Sequence, residues 1–262
     1  MSRPIVFLTD YGLADGFVGV CHGVIARIAP DVHVIDLTHQ VERQDVLGGA
    51  VTLGRAARYM PDDAVYLAVV DPGVGSDRRP IALETRSGAA LVGPDNGLLS
   101  MAWAELGGIA HAVEISSEDV VLHPVSHTFH GRDVFAPAAA HLAVGLALED
   151  LGPPVQAADL HVLELAAPMV TPGMVGARVV AIDSFGNVQL NATAAELEAA
   201  GIGPTMTIGA RDVPRVATFA EVPRGECAAL VDSEGFLALV VNRGSAAQML
   251  GLSVGDAVVL GA

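Results

Sequence analysis

Residues 69–79 read Val69-Val70-Asp71-Pro72-Gly73-Val74-Gly75-Ser76-Asp77-Arg78-Arg79, and this stretch decides how the fold is interpreted. The apolar run that begins near Ala64 is typical of a buried strand, and the Pro-Gly turn ends it. Asp71 is therefore expected at the carboxyl end of a strand, the edge of an open α/β sheet at which ligands bind. Asp before Pro-Gly is also ordinary turn chemistry, so the functional interpretation depends on the rest of the chain.

The composition argues against several classes of protein. The 262 residues carry a formal net charge of -16 and a pI of about 4.7. Such a charge argues against a nucleic-acid partner and against an anionic membrane surface. All 14 basic residues are arginine, so Schiff-base catalysis by lysine and a P-loop lysine are both excluded.

The cysteines and the first residues carry no sign of secretion or of a zinc site. Cys21 and Cys227 lie far apart, without CxxC or Cys/His spacing, which predicts neither a disulfide framework nor a zinc site. The apolar run after Pro4 is too short for the core of a signal peptide, and no apolar run approaches the length of a membrane span. We therefore expect a cytoplasmic protein with no membrane partner.

The order of the apolar segments predicts an α/β fold with two domains. Strand and helix patterns alternate in the first half, which predicts an N-terminal, mostly parallel α/β sandwich domain over residues 1–166. Short Val/Ile/Leu runs broken by Gly, Asn and Pro then predict a smaller C-terminal β-barrel domain over residues 173–262. The expected strands are residues 5–9, 32–37, 64–70, 81–84, 90–92, 177–182, 206–208, 228–231, 237–241 and 257–260, and the expected helices are residues 16–28, 45–59, 98–106 and 133–144.

Polar residues follow the predicted strands of the first half. Asp10 comes directly after the first strand, and Asp15 stands at the entrance to the first helix, where it either caps that helix or binds a ligand. For Asp95 and Asn96, which follow another strand, a capping role is favoured. His130 lies in a polar loop that leads into an apolar helix, which is a suitable place for a positioned base.

Two short polar loops are the candidate binding elements of the second half. Asp183, Phe185 and Asn187 end one predicted strand and combine an acid, an aromatic ring and an amide. An aromatic ring can stack on a flat base, an amide can pair with a purine edge, and a carboxylate can hold an amine. The other loop contains Asn242 and Arg243. Either loop can equally be an ordinary hairpin turn.

Six motifs together resemble a known family. They are LTDYG at 8–12, VVDPGVG at 69–75, GPDNGLL at 93–99, TFHGRD at 128–133, IDSFGNV at 182–188 and VNRGSA at 241–246. In this order they are similar to the S-adenosyl-L-methionine hydroxide adenosyltransferase family, which is related to the fluorinase and the chlorinase. The resemblance spans nearly the whole chain, and it is specific because all six motifs occur in register.

The resemblance implies a homotrimer with active sites between neighbouring subunits. The implied reaction is attack by water or hydroxide on the 5′ carbon of S-adenosylmethionine, which gives adenosine and L-methionine without a cofactor or a metal ion. The catalytic triad of the hydroxide-using members falls on Asp71, Arg78 and His130. The halide-using relatives have a tyrosine in place of Asp71 and a serine in place of Gly131, and this difference favours water over halide.

The resemblance also implies a set of substrate-binding residues. Asp10 corresponds to the residue that holds the ribose hydroxyls, and Ser233 to the one that binds the methionine carboxylate. Next to that serine, Glu234 stands where the fluorinase has an arginine, and a carboxylate cannot replace a cation in this role. The remaining positions are Asp15 and Asp183 for the methionine ammonium, and Phe185, Asn187 and Phe219 around adenine together with the backbone near Arg243. Asn242, in the same loop as Arg243, is a further expected substrate-binding residue.

Three alternatives stay open from the sequence. One is a metal-dependent hydrolase in which Asp10, Asp71, Asp95 and His130 ligate one or two ions. Another is a non-catalytic protein that binds a nucleoside or S-adenosylmethionine. The third, closer to the resemblance, is a halide transferase that forms a 5′-halo-5′-deoxyadenosine.

Overall fold

The computed structural model of the protein describes residues 2–262. Contacts between residues divide the chain into two compact units, of which the first ends at Glu164 and the second begins at Leu165. Strand β7 (Met169–Thr171) pairs with β8 (Met174–Ile182), so residues in the predicted interdomain stretch already belong to the second unit. The predicted limits, 166 and 173, remain predictions.

The first unit is built on a mixed sheet of six strands. These are β1 (Ile5–Thr9), β2 (Val34–Thr38), β3 (Val65–Val69), β4 (Pro80–Thr85), β5 (Ala90–Pro94) and β6 (Ile109–Glu114), in the spatial order β2-β1-β3-β5-β4-β6. The first four strands in this order run parallel to one another, and β4 runs antiparallel to both of its neighbours, β5 and β6. The predicted α/β class with a parallel-rich sheet is confirmed.

Helices cover both faces of this sheet. Ile5 and Phe7 of β1 pack in one hydrophobic cluster with α1 (Phe17–Ile28) and α4 (Ala136–Ala143). Val6 and Leu8 pack on the opposite face with α2 (Val46–Ala57) and α3 (Ser100–Glu105). Alternate side chains of a strand point to opposite faces, and every residue of β1 and β3 is buried. The continuous apolar runs are thus explained by burial on both faces.

The helix boundaries differ from the predicted ones where local geometry intervenes. Asp45 caps α2 as its position predicts, because its side chain accepts a hydrogen bond of 2.9 Å from the Gly48 N–H. The predicted helix over 133–144 begins earlier, with a π-helical turn at Gly131–Phe135 that continues into α4. Short 3-10 helices lie at Leu148–Leu151, Ala157–Asp159 and Phe219–Glu221.

The second unit is a nearly closed, antiparallel, barrel-like sheet. Its path runs β11 (Arg211–Pro214), β10 (Thr205–Ile208), β14 (Ala257–Gly261), β8, β9 (Val188–Thr193), β13 (Phe236–Val241) and β12 (Cys227–Val231). A bridge between Arg215 and Ala229 brings the two ends of this path towards each other. Two short helices, α5 (Ala194–Ala199) and α6 (Ala246–Leu250), accompany the strands. The predicted barrel is confirmed.

The strand order places a candidate site at one edge of the first sheet. β1 has β2 on one side and β3 on the other, so the chain reverses its direction of progress across the sheet at this point. In open α/β sheets, the crevice outside the carboxyl ends of the strands at such a switch is where ligands bind. Thr9 pairs with Val69, and hence Asp10 and Asp71 follow neighbouring strand ends. Across residues 2–262, no helix is both long and apolar enough to cross a membrane.

Candidate functional site

An ion pair between Asp71 and Arg78 forms the centre of the candidate site. The Arg78 Nε donates to Asp71 Oδ1 at 3.1 Å, and its Nη2 donates to Asp71 Oδ2 at 2.5 Å. Only 6% of the Asp71 side chain and 7% of the Arg78 side chain are exposed. Two parallel hydrogen bonds to a planar guanidinium fix the carboxylate more firmly than one bond to a point charge would.

His130 joins this pair through the same guanidinium. The Arg78 Nη2 lies 3.1 Å from His130 Nδ1. Arginine has no acceptor atom, so Nδ1 must accept this hydrogen bond, and the ring proton of a neutral His130 is carried by Nε2. The three residues predicted as a triad are therefore brought into direct contact, with Arg78 between the acid and the imidazole.

Burial shifts the pKa of both titratable members. It raises the pKa of the Asp71 carboxyl above its ordinary value, and the charge and hydrogen bonds of Arg78 offset only part of that rise. Burial also lowers the pKa of His130, and the charge of Arg78 lowers it further. A neutral imidazole agrees with the acceptor role of Nδ1, and a carboxylate with a raised pKa is a stronger base than an exposed one.

The turn after Asp71 brings Arg78 back to the carboxylate. The Val74 N–H donates to the Asp71 carbonyl at 3.3 Å, and the Ser76 hydroxyl donates to the Gly73 carbonyl at 2.7 Å. The same hydroxyl oxygen accepts the Arg78 N–H at 3.3 Å. These local bonds fold residues 71–78 into a compact loop that returns the arginine to the acid.

The π-helical turn that follows His130 lies directly against Tyr11. A side chain at Gly131 would collide with the hydroxyl of Tyr11, so the close approach of the turn to this tyrosine favours glycine there. Behind the turn, buried Asp133 holds Arg132 at 2.6 Å and accepts the Ser126 N–H at 2.9 Å. Although burial alone raises the pKa of Asp133, these hydrogen bonds outweigh it and keep the pKa below its ordinary value. Asp133 is thus a structural anchor for the loop.

A cavity of about 190 Å³ opens beside the triad. Its lining includes Asp10, Asp71 and His130 together with three aromatic side chains, Tyr11, Phe17 and Phe129. The rings contact one another, with centroid distances of 5.2 to 6.0 Å. Burial raises the pKa of Tyr11 well above its ordinary value, so its hydroxyl stays protonated. An aromatic wall facing carboxylates suits a cation that also has apolar substituents.

Asp10 is held in this cavity by a backbone group. Its Oδ2 accepts the Gln44 N–H at 2.9 Å, and Gln44 adopts a φ of 64°, which is rare for a residue other than glycine. Asp15, by contrast, is exposed and is not part of the cavity wall, and the N-cap of α1 is Gly16 without a side-chain hydrogen bond. The alternative capping role for Asp15 is therefore wrong, and its binding role stays a prediction.

A second cavity, of about 490 Å³, lies in the barrel unit. Its walls contain Phe185, Asn187, Phe219 and Arg243, four of the residues predicted to surround a flat base. Phe185 is 78% exposed and Phe219 is 43% exposed. Exposed aromatic rings at the rim of an apolar cavity are typical of a surface that binds a planar ligand.

The other predicted residues of the barrel have structural partners of their own. Asp183 accepts hydrogen bonds from the N–H groups of Phe185 and Asn187, both at 2.9 Å, and so shapes the turn that presents them. The Asn242 side chain donates to the Val222 carbonyl at 2.7 Å. Ser233 lies in a turn outside the lining of this cavity. The ligand contacts expected of these three residues remain predictions.

The ligand set expected for a metal-dependent hydrolase does not assemble. Asp95 binds Arg79 through hydrogen bonds of 3.0 and 2.6 Å and accepts the His161 N–H at 2.9 Å. Asp71 turns both oxygens towards Arg78. In residues 2–262, one group of three or more potential metal ligands lies close together, and it contains none of Asp10, Asp71, Asp95 and His130. The geometry therefore argues against this alternative.

Several residues of the first cavity were not predicted from the sequence. Among them are Tyr11, Phe17, Gln44 and Phe129. Tyr11 and Phe129 stand inside the LTDYG and TFHGRD motifs, directly beside Asp10 and His130. Their neighbours in the sequence therefore indicate a place in the site. Gln44 acts through its backbone, which no side-chain pattern reveals.

Comparison with known proteins identifies the family. Residues 5–152 match the model of the SAM hydroxide adenosyltransferase N-terminal domain, and residues 177–259 match that of the C-terminal domain. The chain belongs to the SAM hydroxide adenosyltransferase family.

Relatives that carry an enzyme name match almost the full length of the chain. The chain is 50% identical over 254 residues to an (R)-S-adenosyl-L-methionine hydrolase of Salinispora tropica, covering 96% of this chain and 95% of the relative. It is 43% identical to a hydrolase of the same name from Thermus thermophilus, covering 97% of each. A fluorinase of Actinopolyspora mzabensis is 32% identical, with 98% of this chain and 97% of that protein covered.

Solved structures share the same architecture. A conserved protein of Thermotoga maritima superimposes with a TM-score of 0.89 at 37% identity, covering 98% of this chain and 100% of that chain. A conserved hypothetical protein of Thermus thermophilus gives a TM-score of 0.78 at 41% identity, covering 98% of this chain and 99% of that chain. The two-unit fold of this chain is therefore shared with proteins of known structure.

Proposed function

We propose that this protein is an S-adenosyl-L-methionine hydrolase that forms adenosine. Water attacks the 5′ carbon of the substrate, the bond from that carbon to sulfur breaks, and the products are adenosine, L-methionine and one proton. The observation that carries the proposal is the contact of Asp71, Arg78 and His130 at the carboxyl edge of the sheet. Hydrolases that share 43% and 50% identity with this chain support it.

The chemistry requires a base more than an acid. A sulfonium leaves as a neutral thioether, so no proton has to be supplied to the leaving group. The barrier lies in activating water and aligning it behind the carbon. The carboxylate of Asp71 orients the water and takes its proton, and such general-base assistance contributes roughly 10²–10⁴-fold. No cofactor is needed to balance this reaction.

Each triad member has a distinct part in this step. Arg78 fixes the position of the Asp71 carboxylate through two hydrogen bonds. The same Nη2 donates a further hydrogen bond to Nδ1 of His130. Asp71 is the base, since its raised pKa gives it greater affinity for the proton. Arg78 and neutral His130 keep the carboxylate correctly oriented, and the aromatic rings of the cavity surround the sulfonium.

The carboxylate also explains a preference for water over halide. A negative group at the position of the nucleophile repels an incoming chloride or fluoride, whereas it accepts a hydrogen bond from water. Burial strengthens this repulsion because fewer water molecules screen the charge of Asp71. Halide transfer is therefore the second candidate function, favoured only by the more distant similarity to fluorinases.

Isotopic labelling tests the reaction itself. We expect purified protein incubated with S-adenosylmethionine in ¹⁸O-labelled water to give adenosine with one labelled oxygen, and unlabelled methionine, whether or not chloride is present. Mass spectrometry of the products measures both. Chlorinated nucleoside would assign the protein to the halide branch, and unchanged substrate would indicate a binding protein without activity.

Substitution of the base tests its role. We expect Asp71→Asn to lower kcat by roughly 10²–10⁴-fold while the affinity for S-adenosylmethionine, measured by calorimetry, changes only a few-fold. Asp77→Asn is the matched control, because Asp77 is an exposed carboxylate in the same loop. Retained binding also shows that the variant is folded. An Asp71→Asn variant that keeps its kcat but loses affinity would make Asp71 a binding residue.

The pH dependence of the activity follows from the raised pKa of Asp71. Asp71 must be ionised to act as a base, so lowering the pH through its raised pKa removes activity. We expect kcat/KM to be constant near neutrality and to fall at acid pH with an apparent pKa above the ordinary value for aspartate, about 3.9. A profile of kcat/KM against pH measures this loss of activity at acid pH. Activity that stays constant below the ordinary aspartate pKa would exclude an ionised Asp71 from the mechanism.

We further propose that the protein acts as a homotrimer with active sites between neighbouring subunits, in the cytoplasm. The cavity beside the triad, about 190 Å³, is smaller than the roughly 300–1,000 Å³ typical of sites for ligands of this size. The barrel cavity supplies the aromatic surface that a purine base needs. Asp10 holds the ribose in this arrangement, and Asp15, Asp183 and Ser233 remain the proposed contacts for the methionine end.

Mixed assemblies test this arrangement. One chain carries Asp71→Asn, and a second chain, with a different tag, carries Phe185→Ala and Phe219→Ala. The two chains are co-expressed, and the assemblies that contain both tags are purified. In a cyclic trimer with shared sites, roughly a third of the sites in these mixed assemblies would combine two intact halves. We expect the mixture to exceed the activity of both parents. Activity no higher than that of the parents, or a monomeric mass by sedimentation, would contradict the proposal.

A further inference from the structure

Three potential metal ligands converge in the first unit, away from the triad. His22 lies on α1, Asp36 on β2, and His39 directly after β2. The Nε2 atoms of His22 and His39 lie 2.9 and 3.0 Å from the same oxygen, Asp36 Oδ1. The three ligand atoms lie within 4.8 Å of one another, and this is the one such group among residues 2–262.

The buried member of the group has a polar atom whose contact with Asp36 is poorly aligned. His39 is only 4% exposed and packs edge-on against Phe7, with ring centroids 4.7 Å apart. Its Nδ1 lies 2.9 Å from Thr9 Oγ1, but its Nε2 forms no hydrogen bond with acceptable geometry, although Asp36 is 3.0 Å away. A misaligned contact of this kind stabilises a buried ring nitrogen less than a well-aligned hydrogen bond does. A cation bound to that nitrogen would provide a stronger partner.

We propose that His22, Asp36 and His39 bind a divalent transition-metal ion, for which zinc is the best match. Two imidazoles and one carboxylate form a common three-residue zinc ligand set. Two nitrogen donors out of three disfavour calcium and magnesium, which prefer oxygen. Ligand atoms around a tetrahedral zinc ion lie about 3.3 Å apart, so the observed 2.9 and 3.0 Å require only small shifts.

The exposure of the group suits an ion that keeps one water ligand. The side chains of His22 and Asp36 are 34% and 47% exposed, whereas that of His39 is buried. An ion bound here would be anchored from the inner side by His39 and open to solvent on the outer side. This asymmetry provides both an entry route and a place for the fourth ligand.

The ion would support the candidate active-site loop. With Nε2 bound to metal, the remaining ring proton of His39 lies on Nδ1 and is donated to Thr9 Oγ1. That oxygen also accepts the Tyr11 N–H at 3.2 Å, and the His39 carbonyl accepts the Gly12 N–H at 2.7 Å. Metal binding would therefore brace residues 9–12, which carry Asp10 and Tyr11. The role is positioning, since none of the three ligands lines the cavity.

Titration with the metal alone tests the site. We expect chelator-treated, dialysed protein to bind one Zn²⁺ per chain in calorimetry, and bound Co²⁺ to show the strong visible absorption of four- or five-coordinate cobalt. His22→Asn and Asp36→Asn should each weaken Zn²⁺ binding by roughly 10-fold or more. His33→Asn is the matched control, because His33 stands beside the same strand and lies outside the group.

Thermal unfolding gives a second readout that does not depend on activity. Zn²⁺ should raise the unfolding midpoint of the unsubstituted protein and of His33→Asn, but not that of Asp36→Asn. The absence of saturable Zn²⁺ binding would overturn the proposal. Binding that His22→Asn and Asp36→Asn leave unchanged would also overturn it, because the ion would then bind elsewhere on the chain.

Discussion

The structure of the first unit depends on the burial of β1 and β3 on both faces. Each buried strand residue removes apolar surface from water, and the backbone polar groups are paired within the sheet. Charged side chains can therefore stand only where these two strands end. Since the two strands are parallel neighbours, Asp10 and Asp71 emerge at the same edge, where the chain also reverses its progress across the sheet. The candidate site is thus a consequence of the packing.

Opposing electrostatic effects define the chemistry at that edge. Arg78 stabilises the ionised form of Asp71, but burial destabilises it more, and the result is a raised pKa. A surface pair would give a tightly held but weakly basic carboxylate, and a buried acid without a partner would be neutral and poorly oriented. The combination of burial and a bidentate arginine provides a carboxylate that is both fixed in place and basic. His130 adds a third contact to the same guanidinium while it remains neutral.

Much of the fold could be predicted, and the errors have identifiable physical causes. Strand β9 was missed because its apolar residues alternate with polar ones such as Gln189 and Asn191, whereas the strands of the second half were predicted from continuous apolar runs. Asn191 is tolerated there because its side chain accepts the Arg178 N–H at 2.7 Å and donates to the Ala166 carbonyl at 2.5 Å. In the site, the binding role of Asp183, which rests on its chemical type and on the family resemblance, remains a prediction. Its oxygens accept hydrogen bonds within its own turn, a local use that any Asx turn can make.

The sequence by itself determined the two-part architecture and the positions of the acids at strand ends, because hydrophobic periodicity and turn residues act over short distances along the chain. Only the tertiary structure decided which side chains meet. Arg78 reaches His130 across 52 positions of sequence, and His22, Asp36 and His39 converge from a helix, a strand and a loop without any recognisable ligand spacing. Such contacts depend on the positions that the helices take on the sheet. Packing throughout the core determines those positions, so they leave no local pattern in the sequence.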